Sequence, residues 1–300
     1  MADSWLDHPA GKVVVDRASE ALGWDVPERS RDPEALTQTE MVQPAIFACD
    51  LAAFAVLEAE GVEFAAAAGH SLGEYAALVA SGVMEFEAGL QALVVRAEAM
   101  GRASRENPGA MTALIGLTLE EARDVCETAG RGDVLAVANE NGPKQTVLSG
   151  SVEAVARAED LARTRGARAI RLPVAGAFHS PLMQPALQPV REAISRIDFR
   201  DPRFSVVPNA SGKSTNRPIA LRDLLSRQML APVRWEASMR SLAELGVDWF
   251  VEAGPGDVLS KLARRAVEGS TARAVGSPDQ ARAVADELRL NRPGEAEEER

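Results

Sequence analysis

The chain has 300 residues, 46% of them apolar, 26% charged and 4% aromatic, with a formal net charge of −11. That is enough for one large α/β domain or two modest ones, and the balance is that of an ordinary globular chain rather than a disordered one. The acidic excess excludes nucleic acid as the main partner, because phosphate binding is driven by cations that release counter-ions.

The start, Met1-Ala2-Asp3-Ser4-Trp5, has no signal-peptide pattern. No apolar run reads as long as the roughly 18–20 residues of a membrane span, so a cytoplasmic protein with no membrane partner is expected. Residues 13–24 and 43–60 read as helices, with Pro44 where a first helical turn tolerates it. FAAAAGHSLGEYAALVASG then reads as strand, sharp turn and helix, and residues 85–100 as a further helix carrying Arg96. Residues 109–174 have their own rhythm. GAMTALIGL is a strand, and the next helix opens with Thr118 and Glu121 in capping-box spacing. Two strands, VLAVANEN and QTVLSGS, meet near Gly142-Pro143; VEAVARAEDLARTRG is a helix and ARAIRLPV a last strand. The order β-α-β-β-α-β predicts an inserted ferredoxin-like subdomain.

Beyond it, residues 181–197 and 219–230 read as helices, FSVVPNAS as a buried strand, and WEASMRSLAELG as a helix. VDWFVEAG is a strand, and Asp257–Val267 a helix after the Gly254-Pro255-Gly256 turn. Alternating strands and helices on both sides of the insert predict an α/β large domain, a mostly parallel sheet covered by helices, over residues 1–108 and 175–285. Residues 286–300, ending RPGEAEEER, read as a disordered tail.

Gly69-His70-Ser71-Leu72-Gly73 matches the G-x-S-x-G nucleophile elbow. Small flanking residues are needed because a Cβ at either would strike neighbouring backbone. The next amide, that of Leu72, opens a helix and is placed to donate to an oxyanion. By itself the pentapeptide is also compatible with a plain glycine-serine turn. A nucleophilic serine needs a base, and the chain has three histidines, His8, His70 and His179. His8 lies in a stretch that reads as solvated. His70 adjoins the serine on the turn and points away from it, as a packing or gating residue. His179 stands where a strand ends and a helix begins. It could be a helix cap or a satisfied core group; opposite a nucleophile with no competing base, it reads as the base. An α/β-hydrolase places its histidine last, near the C-terminus, and no histidine follows His179, so the esterase or lipase reading fails. Arg96 falls on an apolar helical face with Leu93, Ala99 and Met100. It either snorkels to water or is held inside for a charged ligand, and a carboxylate would fit its planar fork. The two cysteines, Cys49 and Cys126, have neither disulfide nor metal-ligand spacing, which fits a reducing compartment.

Together GHSLGEYAALVASGV, RAEAM, GAMTALIGL, AVANENGPKQTVLSG, AFHSPLM, RQML, APVRW and VEAGPGDVL resemble the malonyl-CoA:acyl carrier protein transacylases and the related acyltransferase domains of polyketide synthases. The similarity runs from Trp5 to Ala266. It implies transfer of malonyl from coenzyme A to the phosphopantetheine thiol of acyl carrier protein by a ping-pong route, in a monomer, with no metal or bound cofactor. By resemblance Ser71 is the nucleophile, His179 its base, and the carbonyl of Gln228 orients the imidazole in place of an acid. Arg96 pairs with the malonyl carboxylate, and Phe178 disfavours an α-methyl branch. Arg163, Arg165, Arg168 and Arg171 form a candidate basic patch for an acidic carrier protein, or a solvated surface. A thioester hydrolase and a weakly active or inactive homologue that binds carrier protein without turnover are the alternatives. Family members begin with an apolar strand and a glycine-glutamine-rich loop that supplies a second oxyanion donor, whereas Met1 aligns just beyond that loop. The large domain is therefore expected to lack its first strand, through a start placed too far downstream, a real truncation, or a strand supplied by a partner chain.

Overall fold

The computed structural model describes residues 1–291. It begins with a short 3-10 turn, Asp3–Asp7, whose Trp5 is buried; the N-terminal stretch is not solvated throughout. His8 is the N-cap of α1 (Pro9–Leu22), its Nδ1 accepting from the Ala10 amide, and Gly23 closes the helix in the left-handed conformation. After α2 (Val26–Ser30) comes α3 (Thr39–Ala59). Pro44 therefore sits inside α3 rather than in its first turn. This helix of 21 residues is long and apolar enough, by length and composition, to cross a membrane, which corrects the expectation that no such run exists. It is mostly buried, packing against α1 and α5 (Phe86–Glu106) with Phe47, Ala48, Leu51, Ala52 and Val56 in the main core.

Between those helices run β1 (Ala66–Ala68) and α4 (Gly73–Ala80). The middle of the chain supplies β2 (Ala110–Ile115), α6 (Leu119–Gly130), β3 (Leu135–Gly142), β4 (Gln145–Gly150), α7 (Val152–Thr164) and β5 (Arg168–Arg171). Its four strands form one antiparallel sheet in the order β3-β4-β2-β5, the ferredoxin-like arrangement. Leu114, Leu148, Ala122, Val125, Ala158 and Ala162 make a core of their own beneath it. The capping box on α6 is present in full: Thr118 Oγ1 accepts from the Glu121 amide and Glu121 Oε2 accepts from the Thr118 amide.

The chain returns through α8 (Gln184–Ser195), β6 (Ser205–Val207), α9 (Pro218–Arg227), α10 (Trp235–Glu244), β7 (Trp249–Ala253) and α11 (Val258–Ala266). Two further elements were not read from the sequence: β8 (Thr271–Val275) and α12 (Pro278–Leu290). Of the expected tail, residues 286–290 are thus helical, while 292–300 lie outside the described residues. The parallel strands form two pairs, β1 with β6 and β7 with β8. They do not join into one sheet. Between them lies a cavity of about 630 Å³, walled by residues 65–69 of one pair and 249–253 of the other, with Leu51 and Phe54 of α3 and Met239 and Leu242 of α10 completing it.

The small sheet is fastened to the rest beside the turn between β1 and α4. β3 continues its ladder onto Val233: the Glu140 amide donates to the Val233 carbonyl, and the Val233 amide to the Ala138 carbonyl, each at 2.8 Å. Of the four arginines of the candidate basic patch, Arg163 lies on α7, Arg165 just past its end, and Arg168 and Arg171 on β5. Arg163 pairs with Asp160 and Glu159, Arg165 with Asp124, and Arg171 with Glu159, so three of the four are already neutralised by neighbours.

Candidate active site

Ser71 caps the strand–turn–helix corner between β1 and α4 with φ of 53°, the strained left-handed conformation expected of an elbow. The two flanking glycines differ in what they permit. A Cβ on Gly69 would stand 1.9 Å from the Gly73 carbonyl oxygen, whereas one on Gly73 would meet nothing within 4 Å. Only the first glycine is demanded by close backbone approach, which corrects the symmetric expectation. The Leu72 amide, just ahead of α4, donates to no protein acceptor among the described residues and stands at the positive end of that helix.

His179 reaches the same point from 108 residues downstream, its Nε2 2.7 Å from Ser71 Oγ. It too has a positive φ, 57°. On its far side Nδ1 lies 3.2 Å from the Gln228 carbonyl and 3.1 Å from that of Ala231. Two acceptors at Nδ1 fix the tautomer with the proton there and leave the Nε2 lone pair for the serine. Gln228 is placed as the resemblance implies; Ala231 adds a second carbonyl that the sequence did not suggest. Burial, with the charge of Arg96 and the neighbouring His70, pushes the His179 pKa down to about 3, so the ring is neutral at physiological pH.

Arg96 is fully inside, 1% exposed, and does not snorkel. Its Nη2 donates to Ser71 Oγ at 2.8 Å and its Nη1 to Gln43 Oε1, while Nε has no partner among the described residues. The Tyr75 ring lies beneath it, 5.8 Å from Cζ. No carboxylate forms an ion pair with this guanidinium among the described residues, and burial pulls its pKa down. A buried cation without a paired anion is costly, and the deficit would be met by an anionic ligand.

His70 points away from the serine, as expected. Its Nε2 contacts Asn141 Oδ1 at 2.9 Å and Asn139 Nδ2 at 3.2 Å on β3, and its ring packs 5.3 Å from that of Trp235. It ties the corner to the small sheet. Phe178, adjoining the base, is half-buried and packs against both the main core and the cluster of Met111, Ala113, Ala138 and Val147. His8 takes no part in the site.

Three polar residues behind the corner escaped the sequence reading. Asn209, just past β6, accepts from the Ser71 amide through Oδ1 at 2.7 Å and donates through Nδ2 to the Gly69 carbonyl at 2.6 Å. Glu74, in the first turn of α4, accepts at Oε2 from the Asn209 amide and from Gln228 Nε2. Burial pushes its pKa up to about 7, against those bonds and the charge of Arg96. Gln43 holds the guanidinium. The only signals for these were a glutamate inside GHSLGE and a polar residue at the end of an apolar strand.

An α/β scaffold whose strand–turn–helix corner sets a serine hydroxyl against a histidine held by backbone carbonyls defines a structural class: a serine–histidine pair with no carboxylate at the imidazole among the described residues. Within that class the chain belongs to the acyl transferase domain family, which matches residues 3–293. It is 38% identical over 292 residues to the malonyl CoA-acyl carrier protein transacylase of Escherichia coli K12, covering 96% of this chain and 94% of that one. Among solved structures it is similar to the malonyl CoA-acyl carrier protein transacylase of Coxiella burnetii, with a TM-score of 0.91 at 35% identity over 96% of this chain and 93% of the other. It is also similar to a malonyl-transacylase solved in complex with its type II PKS acyl-carrier protein, with a TM-score of 0.90 at 34% identity over 95% and 94% of the two chains.

Proposed function

We propose that this protein transfers malonyl groups from malonyl-CoA to the phosphopantetheine thiol of acyl carrier protein through an acyl-serine on Ser71. The observation that carries the reading is the buried Arg96 guanidinium, short of an anionic partner and bonded to the same hydroxyl that His179 contacts. Plain thioester hydrolysis has no use for such a cation. A substrate whose acyl group ends in a carboxylate does, because the planar fork binds it bidentately and holds the thioester carbonyl over the serine.

The reaction then follows from the placement of protons. Ser71 Oγ attacks the thioester carbonyl while His179 Nε2 takes its proton; the carbonyl π pair moves to oxygen, where the Leu72 amide and the N-terminal end of α4 stabilise it. Collapse breaks the C–S bond, and coenzyme A leaves with the proton from His179. The carrier thiol attacks the malonyl-serine next, giving its proton to His179, which returns it to Ser71 Oγ as the C–O bond breaks. The carbonyls of Gln228 and Ala231 favour the imidazolium that forms in each half. Phe178 narrows the space beside the base against an α-methyl branch, a discrimination of about 1–3 kcal/mol for one methyl group. Residues 109–174 act as an inserted subdomain that closes the site from the side of Asn139 and Asn141. The burial of α3 in the core is in keeping with a protein that works in the cytoplasm.

Incubation with radioactive malonyl-CoA tests the reading. Label is expected on the wild-type protein and absent from Ser71→Ala, and holo-carrier protein is expected to discharge it into malonyl-carrier. Label retained by Ser71→Ala, or discharge only to free malonate whatever carrier is added, would overturn it.

A further inference from the structure

The peptide of the nucleophile is gripped on both of its polar groups. The Ser71 amide donates to Asn209 Oδ1 at 2.7 Å, and the Ser71 carbonyl accepts from Gln228 Nε2 at 2.8 Å. Gln228 is also the residue whose carbonyl faces His179 Nδ1. The two gripping residues come from distant parts of the chain, one past β6 and one past α9, and share a single junction: Glu74 Oε2, which accepts from the Asn209 amide at 3.0 Å and from Gln228 Nε2 at 2.8 Å. All three are almost wholly buried: Glu74 is 1% exposed, Asn209 0% and Gln228 1%. A carboxyl in that setting is costly to bury and is retained where its bonds fix a geometry.

We infer that Glu74 is a positioning residue for the transfer reaction, the shared acceptor that locks the serine's peptide and the histidine's carbonyl anchor into one register. It touches neither the serine hydroxyl nor the imidazole and acts through Asn209 and Gln228. The inference rests on Ser71 and His179 being the reacting pair. Both bonds land on one oxygen, so an amide whose oxygen occupies that place keeps them, and a thioether of similar length does not. Loss of the junction lets the strained corner relax and the gap between Oγ and Nε2 open. A misplacement of that kind lowers the rate of attack without changing how the substrate is held.

The test compares Glu74→Met with Glu74→Gln in the full-length protein, following single-turnover acylation by malonyl-CoA and, in parallel, the rate of labelling by a serine-reactive fluorophosphonate. For Glu74→Met the expected loss is roughly ten- to hundredfold in both rates, as for a lost hydrogen bond to a charged group, with the half-saturating malonyl-CoA concentration held within about twofold. Glu74→Gln is expected to recover most of the rate. A Glu74→Met protein that acylates at the wild-type rate, or a Glu74→Gln protein no faster than the methionine variant, overturns the inference. If Glu74→Met fails to melt cooperatively, Gln228→Met reads the same junction from its other side, since it deletes Nε2 and keeps the carbonyl facing His179. Wild-type reactivity of that variant would likewise overturn it. Failure of the wild-type protein to take malonyl at all, while the fluorophosphonate still labels Ser71, would instead count against the malonyl reading and leave the positioning comparison to be decided by the probe alone.

Discussion

Replacing Arg96 by methionine separates recognition of a carboxylate from everything else the site does. The guanidinium is 1% exposed and donates to Ser71 Oγ and to Gln43, so its removal affects both the nucleophile and the acyl pocket. The effect on the nucleophile is common to all thioesters and cancels in a ratio of substrates. What remains is the pairing of a desolvated guanidinium with the malonyl carboxylate. Truncating one partner of such a pair costs about 2–5 kcal/mol, and a middle value of about 3 kcal/mol corresponds to roughly a 150-fold loss in kcat/KM. Acetyl-CoA has no carboxylate to lose. Its acylation rate is expected to change much less, so the malonyl-to-acetyl preference should collapse by about two orders of magnitude. The assay is single-turnover acylation of wild type and Arg96→Met by each radiolabelled thioester, read as the ratio of second-order rate constants. An unchanged ratio, even with both rates depressed, would refute the assignment of Arg96 to the carboxylate and leave it as a support for Ser71 alone.

Two more expectations follow from the geometry. His179 must be neutral to accept a proton, and burial, Arg96 and His70 hold its pKa down at about 3 rather than 6.5. The kcat/KM profile for malonyl-CoA should therefore show no acid limb from His179 between pH 8 and about pH 5, and in Arg96→Met that limb should move up toward neutrality because one of the depressing charges is gone. A wild-type limb near pH 6.5 assigned to His179 would contradict this. The flanking glycines should also behave unequally: Gly69→Ala drives a Cβ to 1.9 Å from the Gly73 carbonyl and should abolish acylation, whereas Gly73→Ala meets open space and should keep it. Gly73→Ala should also gain a few tenths to about 1 kcal/mol in a thermal melt, because alanine loses less backbone entropy than glycine on entering a helix.

What the sequence made legible was local. The capping box at Thr118, the strand–turn–helix around Ser71 and the β-α-β-β-α-β order could be read because each depends on residues a few positions apart. His179 was legible for a different reason: with three histidines in the chain, one on the wrong side of a turn and one near the N-terminus, few candidates remained. Elements whose signal is weak were missed. β8 is the polar-interrupted TARAV, although Ser277-Pro278 and the spacing of Ala281, Val284, Ala285 and Leu288 do mark α12. Asn209, Glu74 and Ala231 were beyond reach because their roles arise only where β6, α4 and the segment after α9 converge, and nothing local to any of them encodes that meeting. Arg96 could be singled out as an anomaly on an apolar face, yet only the folded chain reveals that it stays inside without an ion pair to any carboxylate among the described residues.

The hollow between the two strand pairs has a consequence for how stiffness is distributed. β1, which leads into Ser71, is three residues long and, among the described residues, is zipped to β6 alone; its opposite margin borders the void. A strand so short, seated on one flank, has little ladder with which to resist bending. The burden of keeping the corner rigid passes to the Asn209 side chain, which clasps the chain on either side of His70, and to the Glu74 carboxyl that accepts from the Asn209 amide behind it. Catalytic competence is thus expected to soften at lower temperature than the bulk of the helical shell, with the sharp bend at Ser71 the first part of the molecule to lose its shape.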